Sequence, residues 1–185
     1  MADDPTDPAR LALEFLVLRC QTGDERAFER LLEQFGERTH RYLRGLVGDA
    51  ADDVQQEVWL AVYRGIADLA APRAFRTWLF RTTRNRALDW LRRRKREAEL
   101  LADVDFDVVQ DTVASPAADA DLAEEAWQHL DALSPAHREV LVLRYRDDMS
   151  YEQMALVMGC SVGTVRSRLH YAKQRLHETF DRRDT

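Results

Sequence analysis

Between Arg73 and Arg96 the chain sets Arg73, Arg76, Arg81, Arg84, Arg86, Arg92, Arg93, Arg94, Lys95 and Arg96 against a single acid, Asp89. Phe75, Trp78, Phe80 and Trp90 are interleaved with them. Guanidinium groups hold phosphates and aromatic faces stack on unpaired bases, so this mixture can grip a nucleic-acid strand. A run of like charge is most often a plain solvated face. Such a face needs no tryptophan, and the whole chain carries a formal net charge of −6, so positive charge is concentrated here against the average.

A second constellation lies in "SYEQMALVMGCSVGTVRSRLHYAKQRL", residues 150–176. It reads as a short helix, a tight turn with glycine and a longer helix, which is helix-turn-helix spacing. On the second helix Val165, Leu169, Ala172 and Leu176 share an inward face. Opposite lie Gly163, Ser167, His170, Tyr171 and Gln174. Arg166 and Lys173 flank one edge of that strip, Arg168 and Arg175 the other. Polar side chains between two basic edges suit a helix in the major groove, where the strip reads base edges and the bases hold phosphates.

A third set is milder. On a helical wheel from Asp49 to Ile66, Val54, Val58, Ala61 and Val62 point inward. Asp53, Gln56, Glu57, Leu60 and Tyr63 point outward. Leu60 beside Tyr63 among acids has the make-up of a small protein-docking patch.

Other chemistries are not signalled. There is no phosphate loop, nucleophile elbow, HExxH or EF-hand pattern, so the sequence does not read as an enzyme. Cys20 and Cys160 stand far apart and form no CxxC, and His170 has no partner at ligand spacing; no metal or other cofactor is expected. No run of about 18 apolar residues occurs, so no membrane insertion is expected. The acidic start "MADDPTDPAR" lacks the order of a signal peptide, and the expected location is cytoplasmic.

The elements that position these residues follow from periodicity and punctuation. Apolar spacing is helical almost throughout, and strand alternation is absent. Thr22-Gly-Asp-Glu25 reads as a capping box opening a helix through Phe35. A further helix is expected from about Glu37 to Val47, and Asp49 is read as the cap of one running to about Ala67. A loop over 68–73, with Pro72 near its end, precedes the basic helix. Ser134-Pro135 is an N-cap with proline at the first helical position. Ser150-Tyr-Glu-Gln153 is a capping box, with Met149 and Met154 as its hydrophobic staple. Gly159 ends that helix and Ser161 caps the next. From Glu97 to Glu125 acids abound and no Lys or Arg occurs. The expected fold is all-α: two small helical domains, 1–98 and 122–185, joined by an acidic flexible linker, 99–121.

"DAADDVQQEVWLAVYR" and "FRTWLFRTTRNRALDWLRRRKR" resemble regions 2.2 and 2.3–2.4 of bacterial sigma factors of the extracytoplasmic-function class, within the sigma-70 family. "LSPAHREVLVLRYRDDMSYEQMALVMGCSVGTVRSRLHYAKQRL" resembles their region 4. The ordered set is far more specific than a lone helix-turn-helix. It implies a transcription initiation factor that binds core RNA polymerase, directs it to promoter DNA through −35 and −10 elements, and aids melting. It implies −35 contacts from Thr164, Arg166, Ser167, Arg168, His170, Tyr171 and Lys173. It implies −10 and melting contacts from Asp68, Arg73, Trp78, Arg81, Asn85 and Arg92. It implies polymerase contacts from Asp53, Gln56, Glu57, Leu60 and Tyr63. The wedge tryptophans of housekeeping sigma factors match Arg81 and Thr82 here, so that wedge is absent. Either Trp78 or the 68–73 loop is left to hold a flipped base. Gln55 stands where many relatives carry an apolar residue. An anti-sigma partner follows from the resemblance alone. The acidic linker either threads a basic polymerase channel as a polyanion mimic or folds back on the 73–96 helix. The competing reading is a helix-turn-helix regulator that acts on duplex DNA without being a polymerase subunit.

Overall fold

The structure is a computed structural model that describes residues 7–101 and 133–181. The expected linker from 102 onward and the boundary at 121/122 lie outside the described residues, and at the expected 98/99 boundary the helix that begins at Phe75 runs on to Leu101. Among the described residues every regular element is helical, and no helix is long and apolar enough to cross a membrane.

Helix α1 spans Pro8–Gln21, with Asp7 accepting from the Ala9 amide at 3.1 Å and proline at the first position. Helix α2 spans Glu25–Val47. Its cap is Asp24, which accepts from the Ala27 amide at 3.1 Å. Thr22 does not open a capping box; it ends α1, its hydroxyl donating to the Arg19 carbonyl at 2.8 Å. The expected break after Phe35 is also absent. Ala27, Leu31, Phe35, Thr39, Leu43 and Val47 form one buried stripe through Gly36, and this packing outweighs the roughly 1 kcal/mol that a helical glycine costs. The Gly36 carbonyl accepts from Thr39 Oγ1 at 2.9 Å and from Gln55 Nε2 at 2.8 Å.

Gly48–Ala50 makes a 3-10 turn into α3, Ala51–Gly65. Asp49 is not its cap, because it is drawn to Arg44 at 3.2 Å. A second 3-10 turn, Ile66–Asp68, and a third, Pro72–Ala74, lead to the basic helix α4, Phe75–Leu101. In the second half α5 spans Pro135–Leu141 with Ser134 as its cap, and runs into a π-helical turn at Val142–Arg146. Asp148, at φ 44°, takes the left-handed conformation that Asp and Asn adopt more readily than most side chains. It brings the chain into α6, Tyr151–Met158, with both bonds of the Ser150–Gln153 capping box formed. Gly159, at φ 63°, closes α6. Helix α7, Val162–Asp181, starts with Ser161 accepting from the Thr164 amide at 3.0 Å.

Two apolar clusters result. The first joins Val17, Leu31, Phe35, Leu43, Val54, Val58, Val62, Phe75, Leu79 and Ala87 from α1–α4. The second joins Val140, Leu143, Met149, Met154, Val157, Val165, Leu169 and Ala172 from α5–α7, and it also takes Tyr42 and Phe80 from the first half. Each fully buried Val, Leu, Met or Phe among them contributes about 1.5–3 kcal/mol. The two halves are therefore packed against each other. Cys20 is buried in the first cluster, and that burial pushes its thiol up to about 11, so it serves as a small apolar group rather than a nucleophile.

Candidate nucleic-acid interface

Helix α4 carries two buried stripes, and this decides what its bases can do. Phe75, Leu79, Thr83 and Ala87 face the first core, and Phe80 faces the second. Arg73, Arg81, Asn85, Arg86, Arg92, Arg94, Lys95 and Arg96 remain exposed. Arg92 pairs with Asp89 at 2.8 Å, and Arg94 lies 5.3 Å over the Trp90 ring. Such exposed contacts are weak and exchange readily for a phosphate.

Trp78 is half-buried. Its ring lies so close to α3 that a Cβ at Gly65 would sit 3.1 Å from Cζ2. Its neighbour Phe75 is 6.2 Å away, tilted by 45°. One edge of the indole is thus fixed in the protein and the rest is left partly open. The preceding loop is also held. Gln21 at the end of α1 donates through Nε2 to the Ile66 and Leu69 carbonyls, at 3.1 and 2.8 Å. Asp68 and Arg73 project from this clamped loop and are exposed. Gln21 was not legible as a functional-site residue, because its partners are main-chain carbonyls that carry no side-chain signature.

On α3, Asp53, Gln56, Leu60 and Tyr63 are exposed, Leu60 at 54% and Tyr63 at 57%. Glu57 is half-buried and takes Arg93 of α4 at 2.9 Å, which ties this patch to the basic helix. The Tyr63 ring rests edge-on against Phe28 at 5.2 Å, and Phe28 against Trp59 at 5.9 Å. Phe28 therefore sets the direction of Tyr63, a role its own sequence neighbours gave no sign of. Gln55 is half-buried, its amide satisfied by the Gly36 carbonyl; that bond accounts for a polar residue on this face.

On α7, Val165, Leu169 and Ala172 are buried while Arg166, Ser167, His170, Tyr171 and Lys173 are exposed. Arg168 and Thr164 are half-buried, and the Thr164 hydroxyl is 2.9 Å from that of Ser161. The His170 and Tyr171 rings meet edge-on at 5.6 Å. Tyr151 lies under both Arg144, at 5.5 Å, and Arg166, at 5.7 Å. Tyr145 lies under Lys173 at 5.4 Å. These aromatic seats hold the cations upright without neutralising them, so the edge stays available to phosphate.

Residues 31–97 match the family model Sigma-70 region 2, and residues 123–176 match Sigma-70, region 4. The chain is 31% identical over 185 residues to the ECF RNA polymerase sigma-E factor of Haemophilus influenzae, covering 94% of this chain and 95% of that one. The chain belongs to the extracytoplasmic-function class of sigma-70 factors. It directs RNA polymerase to promoters and is not catalytic, and the reading as a regulator independent of polymerase is set aside. The RNA polymerase sigma-H factor of Pseudomonas aeruginosa is 35% identical, over 89% of this chain and 92% of its own. SigE of Mycolicibacterium smegmatis is 33% identical, and the chain spans 64% of that longer protein. Among solved structures, the sigma factor RpoE of Bartonella quintana in complex with the anti-sigma factor NepR matches with a TM-score of 0.69 at 26% identity, over 83% of this chain and 96% of that one. CnrH in complex with the cytosolic domain of CnrY matches with a TM-score of 0.63 at 28% identity, over 92% and 97%.

Proposed function

We propose that three exposed faces divide the work of this sigma factor. Arg166, Ser167, His170 and Tyr171, with Thr164, Arg168 and Lys173 around them, read and hold the −35 element. Arg81, Asn85 and Arg92 hold the strand backbone at the −10 element, while Trp78 and the Asp68–Arg73 loop meet bases exposed as the duplex opens. Asp53, Gln56, Glu57, Leu60 and Tyr63 dock on polymerase. The observation that carries this reading is the coexistence of solvent-facing cations on α4 and α7 with an apolar-acidic patch on α3. The cytoplasm is where such a factor meets polymerase. A protein anti-sigma partner extends to this chain from RpoE of Bartonella quintana. Mixing the chain with core polymerase and measuring promoter-specific run-off transcription tests the division as a whole.

Two variants separate the faces. Leu60→Asp should weaken binding to core polymerase by about tenfold or more, the loss typical of a central apolar contact. Its thermal stability should change by less than about 0.5 kcal/mol, because the residue faces outward. Unchanged affinity in a polymerase titration would remove the patch. Arg166→Ala should cost roughly 1–3 kcal/mol of discrimination at one or two base pairs. A promoter-variant library would show this as a flattened preference, and an unaltered base profile would strike Arg166 from the readers.

A further inference from the structure

Tyr151, the first residue of α6, is placed by the bonds that start its helix. The Gln153 amide donates to Ser150 Oγ at 3.2 Å, and the Ser150 amide donates to Gln153 Oε1 at 2.9 Å. The ring is half-buried against the second apolar cluster. Arg144 of the π-helical turn pins it further. Its Cζ lies 5.5 Å from the ring centroid, while its Nη1 donates to the Met149 carbonyl at 2.9 Å. Core, capping box and Arg144 together fix where this ring stands.

Arg166 of α7 comes to the same ring, with its Cζ 5.7 Å from the centroid. Arg166 is exposed, and an arginine free in water spreads over many rotamers. A ring contact attracts a guanidinium through its face and leaves the N–H edge free to donate to a base. A carboxylate in the same place would take up those donors. Glu152 is the nearby acid. The bonds of its own amide and of the Ser150 hydroxyl, and then the Arg166 charge, hold its carboxyl below the usual range. Glu152 is exposed, so its pull on Arg166 is screened by water and sets no direction.

We infer that Tyr151 is a positioning residue for −35 recognition: its ring, fixed by the core and by Arg144, aims the Arg166 guanidinium into the major groove and thereby sets the base preference at the position Arg166 reads. The inference rests on the −35 reading of α7 given above. Lys173 has a comparable seat on Tyr145, at 5.4 Å, but an ammonium held for phosphate carries no sequence preference. The two tyrosines therefore do different work on the same helix.

Holoenzyme made from the full chain and core polymerase, assayed by run-off transcription on a library of −35 variants, tests this. The readout is the ratio between −35 sequences, which a loss of folded protein, lowering all of them alike, does not imitate. Tyr151→Leu keeps an apolar body against the core and removes the ring face. It should cut discrimination at the base pair read by Arg166 by about two- to fivefold, the range of an exposed cation–ring contact, and leave other positions unchanged. Tyr151→Phe keeps the ring and should stay within about twofold of wild type. In an Arg166→Ala background Tyr151→Leu should add nothing, because the two side chains act as one unit. Tyr145→Leu should lower output on all −35 sequences alike, and Glu152→Gln should leave the base profile as it is. An unchanged ratio in Tyr151→Leu, a further loss on top of Arg166→Ala, a Tyr151→Phe profile as flat as that of Tyr151→Leu, or a flattened profile in Tyr145→Leu or Glu152→Gln would each overturn the role of the ring. A wild-type holoenzyme without any −35 preference, or an unaltered profile in Arg166→Ala, would instead overturn the reading of α7 beneath it.

Discussion

Replacing Phe75 by alanine should lower the stability of the α1–α4 unit by about 3–5 kcal/mol, the range for deleting a fully buried aromatic ring. Phe75 has no exposed surface and meets the Phe35 ring edge-on at 5.6 Å. It is also the first residue of α4, directly after the Pro72–Ala74 turn. The ring therefore anchors the point where the clamped loop becomes the basic helix. Its loss leaves a cavity between α2 and α4 that Leu79 and Trp78 cannot fill, since each is already packed elsewhere. Urea titration should show a lower midpoint at an unchanged slope. For a unit of this size the melting temperature should fall by at least about 12 °C. Trp78→Ala, which removes a half-buried ring, should lose clearly less. A Phe75→Ala loss below about 1 kcal/mol would show that the α4 base is not held by this contact.

What was legible in the sequence divides by range. Local punctuation was read correctly where a side chain bonds to its own helix: the Ser134 cap, the Ser150–Gln153 box and the Gly159 stop all stand in the structure, and Met149 and Met154 are both buried in the second cluster. The inward stripes of α3 and α7 were legible because one face of each helix is apolar and the other is not. Punctuation failed where two readings share the same residues. Thr22 and Asp24 both suit an N-cap, and the choice falls to Asp24 because Thr22 is taken up by the end of α1. Asp49 suits a cap but is held by Arg44. Gly36 suits a break but lies on a continuous buried stripe. Helix α1, whose Leu11, Phe15 and Leu18 are exposed, lacked the clear amphipathic stripe that would have announced it. Contact between the halves was invisible for a different reason. Tyr42, Arg84 and Glu139 are far apart in the chain, and each taken alone is an ordinary surface-type residue. Only the tertiary structure shows that they share one buried oxygen.

Lowering the pH from 8 to 5 should favour the closed form, in which the two halves are packed together, over an open one in which they are parted, by about tenfold through Asp147. This residue is 1% exposed and its Oδ1 has no hydrogen-bond partner. Burial pushes its pKa up from the ordinary 3.8 to about 6; Arg76 of α4 and Arg38 and Arg41 of α2 pull against that, while Asp148 beside it adds to it. When the halves part, the carboxyl regains water and its ordinary value. The closed form thus binds the proton more tightly than the open form. Its extra stability is fully present below 3.8 and is lost as the pH rises through about 6. Over the whole range this amounts to at most about 3 kcal/mol. The direction is opposite to that of a carboxylate stabilised by its cations, because here desolvation outweighs three arginines. The radius of gyration of the wild type should therefore shrink between pH 7.5 and pH 5. Asp147→Asn carries no titrating proton and mimics the protonated state, so it should be compact at pH 7.5 and flat across the range. Expansion of the wild type on acidification would reverse the assigned sign. An undiminished slope in Asp147→Asn would place the titrating group elsewhere. With the Glu139 cluster supplying specific bonds between the halves and Asp147 supplying a cost that protons relieve, the packing of the two halves against each other is firmest at acidic pH.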